Sequence, residues 1–167
     1  MDLPLLQEAA DACRIAGENA AGFPDVYRHT RRTGLGAVFS DPQITIAGRG
    51  RKALSEAGVD FAHGEVSLED QGSARVIGKN KGSLRVYGYR ETGLALGAEI
   101  IGPAAERLGH VLAWSIESKL TVSEVLQRAF YHPVIDEGLR KALRNLAAAL
   151  GFGPNPTLRR TDCGPGG

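Results

Sequence analysis

The sequence predicts an α+β domain, a mainly antiparallel sheet flanked by helices, from three observations. From Ala37 to Gly102 the signal is β, with apolar and polar residues alternating at Gln43 to Ile46 and Ser83 to Val86. Helical periodicity replaces that alternation from Pro103 to Leu150. Glycine-containing turn signals punctuate the first stretch.

Each element has its own local cause. Pro4 suits a first helical turn, and Gly22 with Pro24 marks a stop, so a helix is expected from Pro4 to about Ala21. Its small face (Ala9, Ala12, Ala16, Ala20) would permit close packing. Phe23 to Gly36, with the basic run Arg28, His29, Arg31 and Arg32, has no period and is expected to be a connector. Within the β region Ile44 and Ile46 alternate with Gln43 and Thr45, and Leu84 and Val86 with Ser83 and Arg85. Thr92-Gly93 reads as a hairpin turn before the run Leu94 to Ile101, and Gly78 to Gly82 as a further connection. A short helix at Lys52 to Ala57 is closed by Gly58 as a left-handed cap.

In the helical part, Leu108, Val111, Leu112, Ser115 and Ile116 follow an i, i+3, i+4 stripe. Thr121-Val122-Ser123-Glu124 forms a capping box for a second helix that must stop before Pro133. A last helix carries Leu139, Leu143, Leu146 and Leu150 on one face and ends at Gly151. The expected organisation is a terminal helix and connector over 1–36, a domain over 37–150, and a disordered tail over 151–167 rich in Pro and Gly.

At 167 residues the chain is large enough for a real core, and 43% hydrophobic with 23% charged residues is ordinary for a soluble protein. A net charge of +1 argues against a nucleic-acid or anionic-membrane surface, and no apolar run is long enough to span a bilayer. Cys13 and Cys163 form neither a CxxC pair nor a zinc pattern, which fits a reducing cytoplasm. There is no GxGxxG between strand and helix, no GxxxxGK[ST], no HExxH and no GxSxG. No metal site is expected from the four histidines.

The most informative local sequence is Phe130-Tyr131-His132-Pro133-Val134-Ile135-Asp136-Glu137. Pro133 cannot continue a helix, so His132 falls in a turn, and Glu137 falls in the first turn of the next helix. Folding back would bring the carboxylate to the imidazole, fixing its tautomer and suiting it to general acid–base work near neutral pH. The plain alternative is a surface turn in which Glu137 simply favours a helix amino terminus.

These residues resemble the His-Pro-x-x-x-Glu signature that ends the pyridine nucleotide–disulfide oxidoreductases of the dihydrolipoamide dehydrogenase type. Phe39-Ser40-Asp41-Pro42-Gln43-Ile44 resembles the start of that family's interface domain, and Thr92 to Ala98 followed by Ile101-Gly102 its central hairpin. Leu120-Thr121-Val122 resembles the helix boundary before the histidine. Pro4 to Ala20 resembles the helix that closes the family's FAD-binding domain.

The resemblance implies a C-terminal dimerisation domain of a flavoprotein disulfide reductase. It implies a homodimer through residues 37–150, contact with the parent enzyme's FAD- and NAD-binding domains, and a dithiol or disulfide substrate. His132 and Glu137 would be the catalytic pair, serving the partner subunit's redox disulfide. Leu5, Leu6 and Gln7 would approach FAD through their backbone. FAD and NAD(P) belong to the full-length enzyme, and neither is expected on this chain alone, which lacks CxxxxC and both nucleotide fingerprints. Departures from the family pattern are Val134 and Asp136 in place of Thr and Ser, and Asp11-Ala12-Cys13 in place of Asp-Glu-Gly. A stand-alone dimerisation module pairing with a separately encoded FAD/NAD subunit is the alternative. A small α+β ligand-binding domain is a third reading.

Overall fold

The computed structural model describes residues 6–28 and 31–152. The tail expected to be disordered lies outside the described residues from 153 onward, as does Cys163.

Helix α1 (Leu6–Ala21) occupies the expected segment. Its alanine face does not pack: Ala9, Ala12, Ala16 and Ala20 are all exposed. The helix is tied to the connector instead. Arg32 pairs with Asp11 at 3.1 Å, and the Asn19 amide accepts from the Tyr27 N–H at 2.8 Å and donates to the Tyr27 carbonyl at 3.1 Å.

Five strands follow: β1 (Leu35–Val38), β2 (Gln43–Gly48), β3 (Phe61–Ser67), β4 (Ser83–Tyr89) and β5 (Ala95–Gly102). They form one antiparallel sheet in the order β1-β2-β5-β4-β3. β1 starts at Leu35, inside the stretch expected to be connector. Helix α2 (Arg51–Glu56) follows β2 and closes at Gly58, whose φ of +63° suits a residue without Cβ. Helix α3 (Gly72–Val76) lies between β3 and β4. The β4–β5 hairpin turns at Gly93, with φ of +72°.

Helices α4 (Ala105–Glu117) and α6 (Asp136–Ala149) lie side by side on one face of the sheet. α4 covers β1, β2 and β5, α6 covers β3 and β4, and α5 (Val122–Leu126) packs on α6. Leu108, Leu112, Leu139, Leu143 and Leu146 are buried against Val66, Leu84, Val86, Ala98 and Ile100. Each such leucine contributes about 1.5–3 kcal/mol relative to exposure. Val111, Ile116 and Leu150, also on the expected stripes, are partly buried.

The capping box of α5 is present as expected. Thr121 Oγ1 accepts the Glu124 N–H, and Glu124 Oε2 accepts the Thr121 N–H at 2.7 Å. Those bonds to Thr121, the backbone one foremost, hold the Glu124 carboxyl below its ordinary value. The cap therefore stays formed above that range and weakens only as pH falls through the lowered value.

The register places Ile44, Ile101, Ser83 and Ser67 in one row, and Ile46, Glu99, Arg85 and Glu65 in the next, both on the face opposite the helices. There Arg85 pairs with Glu65 at 2.7 Å and the Tyr87 hydroxyl donates to Glu99. Burial first, then the bond to Glu99, pushes the Tyr87 phenol up to about 12. Val38, Ile44, Ile46 and Ile101 remain exposed on this face. The helices themselves turn Arg107, His110 and Glu117 outward from α4, and Arg140, Lys141 and Asn145 from α6. On α4 the large exposed apolar side chain is Trp114.

Candidate functional site: a histidine–glutamate pair beside a basic groove

The segment between α5 and α6 is short and proline-broken, so it turns rather than continuing either helix. α6 begins at Asp136, which places Glu137 at its first turn and brings its side chain back over the turn. The sequence-predicted pair meets: His132 Nδ1 lies 2.8 Å from Glu137 Oε1. The second carboxylate oxygen accepts the Val134 N–H at 3.4 Å.

The hydrogen bond to His132, ahead of the Val134 N–H and the nearby charges of His132 and Arg140, holds the Glu137 carboxyl below its ordinary value despite some desolvation. Glu137 is therefore ionised at neutral pH and can only accept. Nδ1 must then carry the proton, and in the neutral ring Nε2 is left with its lone pair. Nε2 has no hydrogen-bond partner among the described residues, and the His132 side chain is 78% exposed against 35% for Glu137. The arrangement is an exposed imidazole oriented through Nδ1 by a carboxylate. As the pH falls through the lowered Glu137 value, the carboxylate is protonated and this orientation is lost.

A groove of roughly 480 Å³ opens beside the pair, lined also by Ser67, Asp70, Gln71, Lys141 and Arg144. Arg140, on the same wall, stacks its guanidinium 5.8 Å from the Phe130 ring centre. Gln71 was not foreseen from the sequence. Its amide reaches the Val134 carbonyl at 2.9 Å across 63 positions of chain, and no local pattern announces such a contact.

The predicted cofactor contacts are less fully placed. Leu5 lies outside the described residues, and Gln7 is described only as backbone of α1. Leu6 is 86% exposed at the start of that helix. Of the other histidines, His29 lies outside the described residues and His63 is exposed on β3. His110 is exposed on α4, its Nδ1 2.8 Å from the Glu106 carbonyl oxygen. Among the described residues no cluster of three His, Cys, Asp or Glu suits a metal, and no helix is long and apolar enough to cross a membrane.

Against known proteins, the family described as pyridine nucleotide-disulphide oxidoreductase, dimerisation domain, matches residues 35–143. A dihydrolipoyl dehydrogenase of Haloferax volcanii is 32% identical over 145 residues, covering 86% of this chain and 30% of that protein. The mitochondrial dihydrolipoyl dehydrogenase of Mus musculus is 27% identical over 114 residues, covering 68% of this chain and 22% of that protein. Among solved structures, LpdA of Mycobacterium tuberculosis superposes with a TM-score of 0.74 at 26% identity, covering 86% of this chain and 31% of that one. The chain thus spans about a third or less of the length of these relatives.

Proposed function

The chain belongs to the pyridine nucleotide-disulphide oxidoreductase dimerisation-domain family, and from that premise we propose that it serves as the C-terminal dimerisation domain of an FAD-dependent, dihydrolipoamide dehydrogenase-like enzyme. Two copies pair through residues 37–150, and His132 of one subunit reaches the redox disulfide of the other. One observation carries this reading: Glu137 fixes Nδ1, while Nε2 has no partner among the described residues on a ring that is 78% exposed. A base that open to water is poorly insulated on its own, and covering it with a second polypeptide would supply the water-excluded surroundings that proton transfer to a sulfur centre favours.

His132 Nε2 takes the proton from a substrate thiol. The resulting thiolate attacks one sulfur of the partner's disulfide, a substrate–enzyme S–S bond forms, and the other enzyme sulfur leaves as thiolate. In the reverse direction the imidazolium returns the proton. Glu137 stabilises that imidazolium and keeps the ring from turning. The substrate's second thiolate then displaces the enzyme sulfur, closing the oxidised substrate and leaving a reduced enzyme dithiol; FAD and NAD held by the cofactor domains would supply the acceptor for that electron pair. On this chain the residues that would approach FAD are Leu5, Leu6 and Gln7, through backbone. The exposed start of α1 is compatible with one edge of such a cofactor. The two cysteines, far apart in sequence, suit a cytoplasmic setting.

The isolated chain is expected to sediment as a dimer at micromolar concentration, to be colourless, and to show no diaphorase activity. A clean monomer would contradict the pairing. A yellow preparation with bound flavin would contradict the division of labour between this domain and the cofactor domains.

A further inference from the structure

Val134 is the node of the turn that presents His132. Its N–H goes to the Glu137 carboxylate, and its carbonyl lies 3.3 Å from the Glu137 N–H and accepts the Gln71 side-chain amide at 2.9 Å. Pro133 contributes no N–H, so this segment has few backbone donors with which to hold itself. The same Gln71 side chain accepts the Ala74 N–H at 2.6 Å through its oxygen, capping α3. α3 is firmly seated, because Leu68 and Ala74 on either side of Gln71 are both fully buried. Gly138, next to Glu137, sits so close that a Cβ there would meet Leu68 Cδ2 at 3.2 Å and Gln71 Cγ at 3.6 Å.

We infer that Gln71 is a positioning residue for the His132–Glu137 pair, tying the Val134 carbonyl to the N-terminal end of α3, where Ala74 is buried, and so setting where the turn presents the imidazole. The inference rests on the functional reading above. A base that must meet a sulfur on another chain gains from being held to a fraction of an ångström, and misplacement by about 1 Å can cost on the order of 100-fold in rate. Buried Ile135 and α6, packed on β3 and β4, hold the turn from its C-terminal side. Gln71 adds a bond from outside the segment, at the Val134 carbonyl.

A merely structural role would be helix capping, and the two roles separate cleanly. Gln71→Ser keeps a capping oxygen but cannot reach Val134. Gln71→Met is close in size and lacks both groups. The readout is the NMR titration of the Glu137 carboxyl carbon in the full 167-residue chain, with His132→Ala as reference. Arg140, Lys141, Arg144 and Asp70, the other charges along the groove, are unchanged throughout. Both Gln71 variants are expected to move the Glu137 midpoint up toward the ordinary carboxylate range, in the same direction as His132→Ala. If His132→Ala raises it while both Gln71 variants titrate like the parent, the positioning role is overturned and the catalytic reading stands. If His132→Ala itself leaves the midpoint unmoved, the pair is not formed in solution and both ideas fall.

Discussion

Dithiol oxidation is expected to slow by about 10²- to 10⁴-fold when His132 is replaced by glutamine. The measurement is made in a flavoprotein in which residues 35–150 replace the interface domain of a dihydrolipoyl dehydrogenase. Glutamine keeps much of the bulk of the imidazole at the turn, but its amide nitrogen has no basic lone pair. The loss is therefore chemical rather than architectural. It should also depend on pH. A substrate thiol ionises unaided as the solution approaches its own value of about 8.5, so the defect should shrink as pH rises through that region. A deficit that is constant from neutral to alkaline pH would mean that the ring does something other than remove a proton.

The second large effect lies far from any reacting atom. Gly64→Ala on β3 is expected to cost about 3 kcal/mol, at the upper end of ordinary overpacking, and to lower the melting temperature by roughly 6–12 °C. A Cβ at Gly64 would stand 2.2 Å from the Ala142 carbonyl oxygen, 2.3 Å from the Leu146 nitrogen and 2.8 Å from its Cα. These are backbone atoms of α6, and no rotamer change can clear them. The helix would have to lift off the sheet by about 1 Å, and Glu137 rides on its first turn. Gly17→Ala is the control, since a Cβ there meets nothing within 4 Å on a helix that alanine favours. Calorimetry on the two variants checks the contrast. Equal melting temperatures would show that α6 is not seated on β3 as described.

The same close approach explains what was hard to read in the sequence. β2 and β4 announced themselves because Ile44, Ile46, Leu84 and Val86 alternate with polar neighbours. β3 did not, because the residues it turns toward α6 include Ala62 and Gly64, small enough to let the helix in and too small to mark an apolar face. β1 is a four-residue strand containing Gly36, with little pattern to detect. α3 is a single turn, fixed by Gln71 and by burial of Ala74 rather than by an apolar stripe. By contrast Gly58, Gly93, the Thr121–Glu124 box and the leucines of α6 were legible, because each acts within a few residues of itself.

The site divides along the same line. His132 and Glu137 are five positions apart and separated by a proline turn, so their meeting follows from local geometry. The Gln71 bond and the strand order join distant parts of the chain, and nothing nearby encodes them. The outer face of the sheet is hard to read for a related reason. Leucine stripes reveal which side of a helix is buried, but Arg140, Lys141 and Asn145 on α6 had to be weighed against an open sheet whose exposed Val38, Ile44, Ile46 and Ile101 become neighbours only through the β1-β2-β5 pairing.

The most direct test mixes two inactive forms of that hybrid flavoprotein, one carrying His132→Gln and the other lacking its redox cysteines, under conditions where subunits exchange. If His132 serves the disulfide of the opposite subunit, each mixed dimer contains one complete site and dithiol oxidation returns. If exchange is verified and the mixture stays as inactive as its parents, the histidine does not act across the dimer.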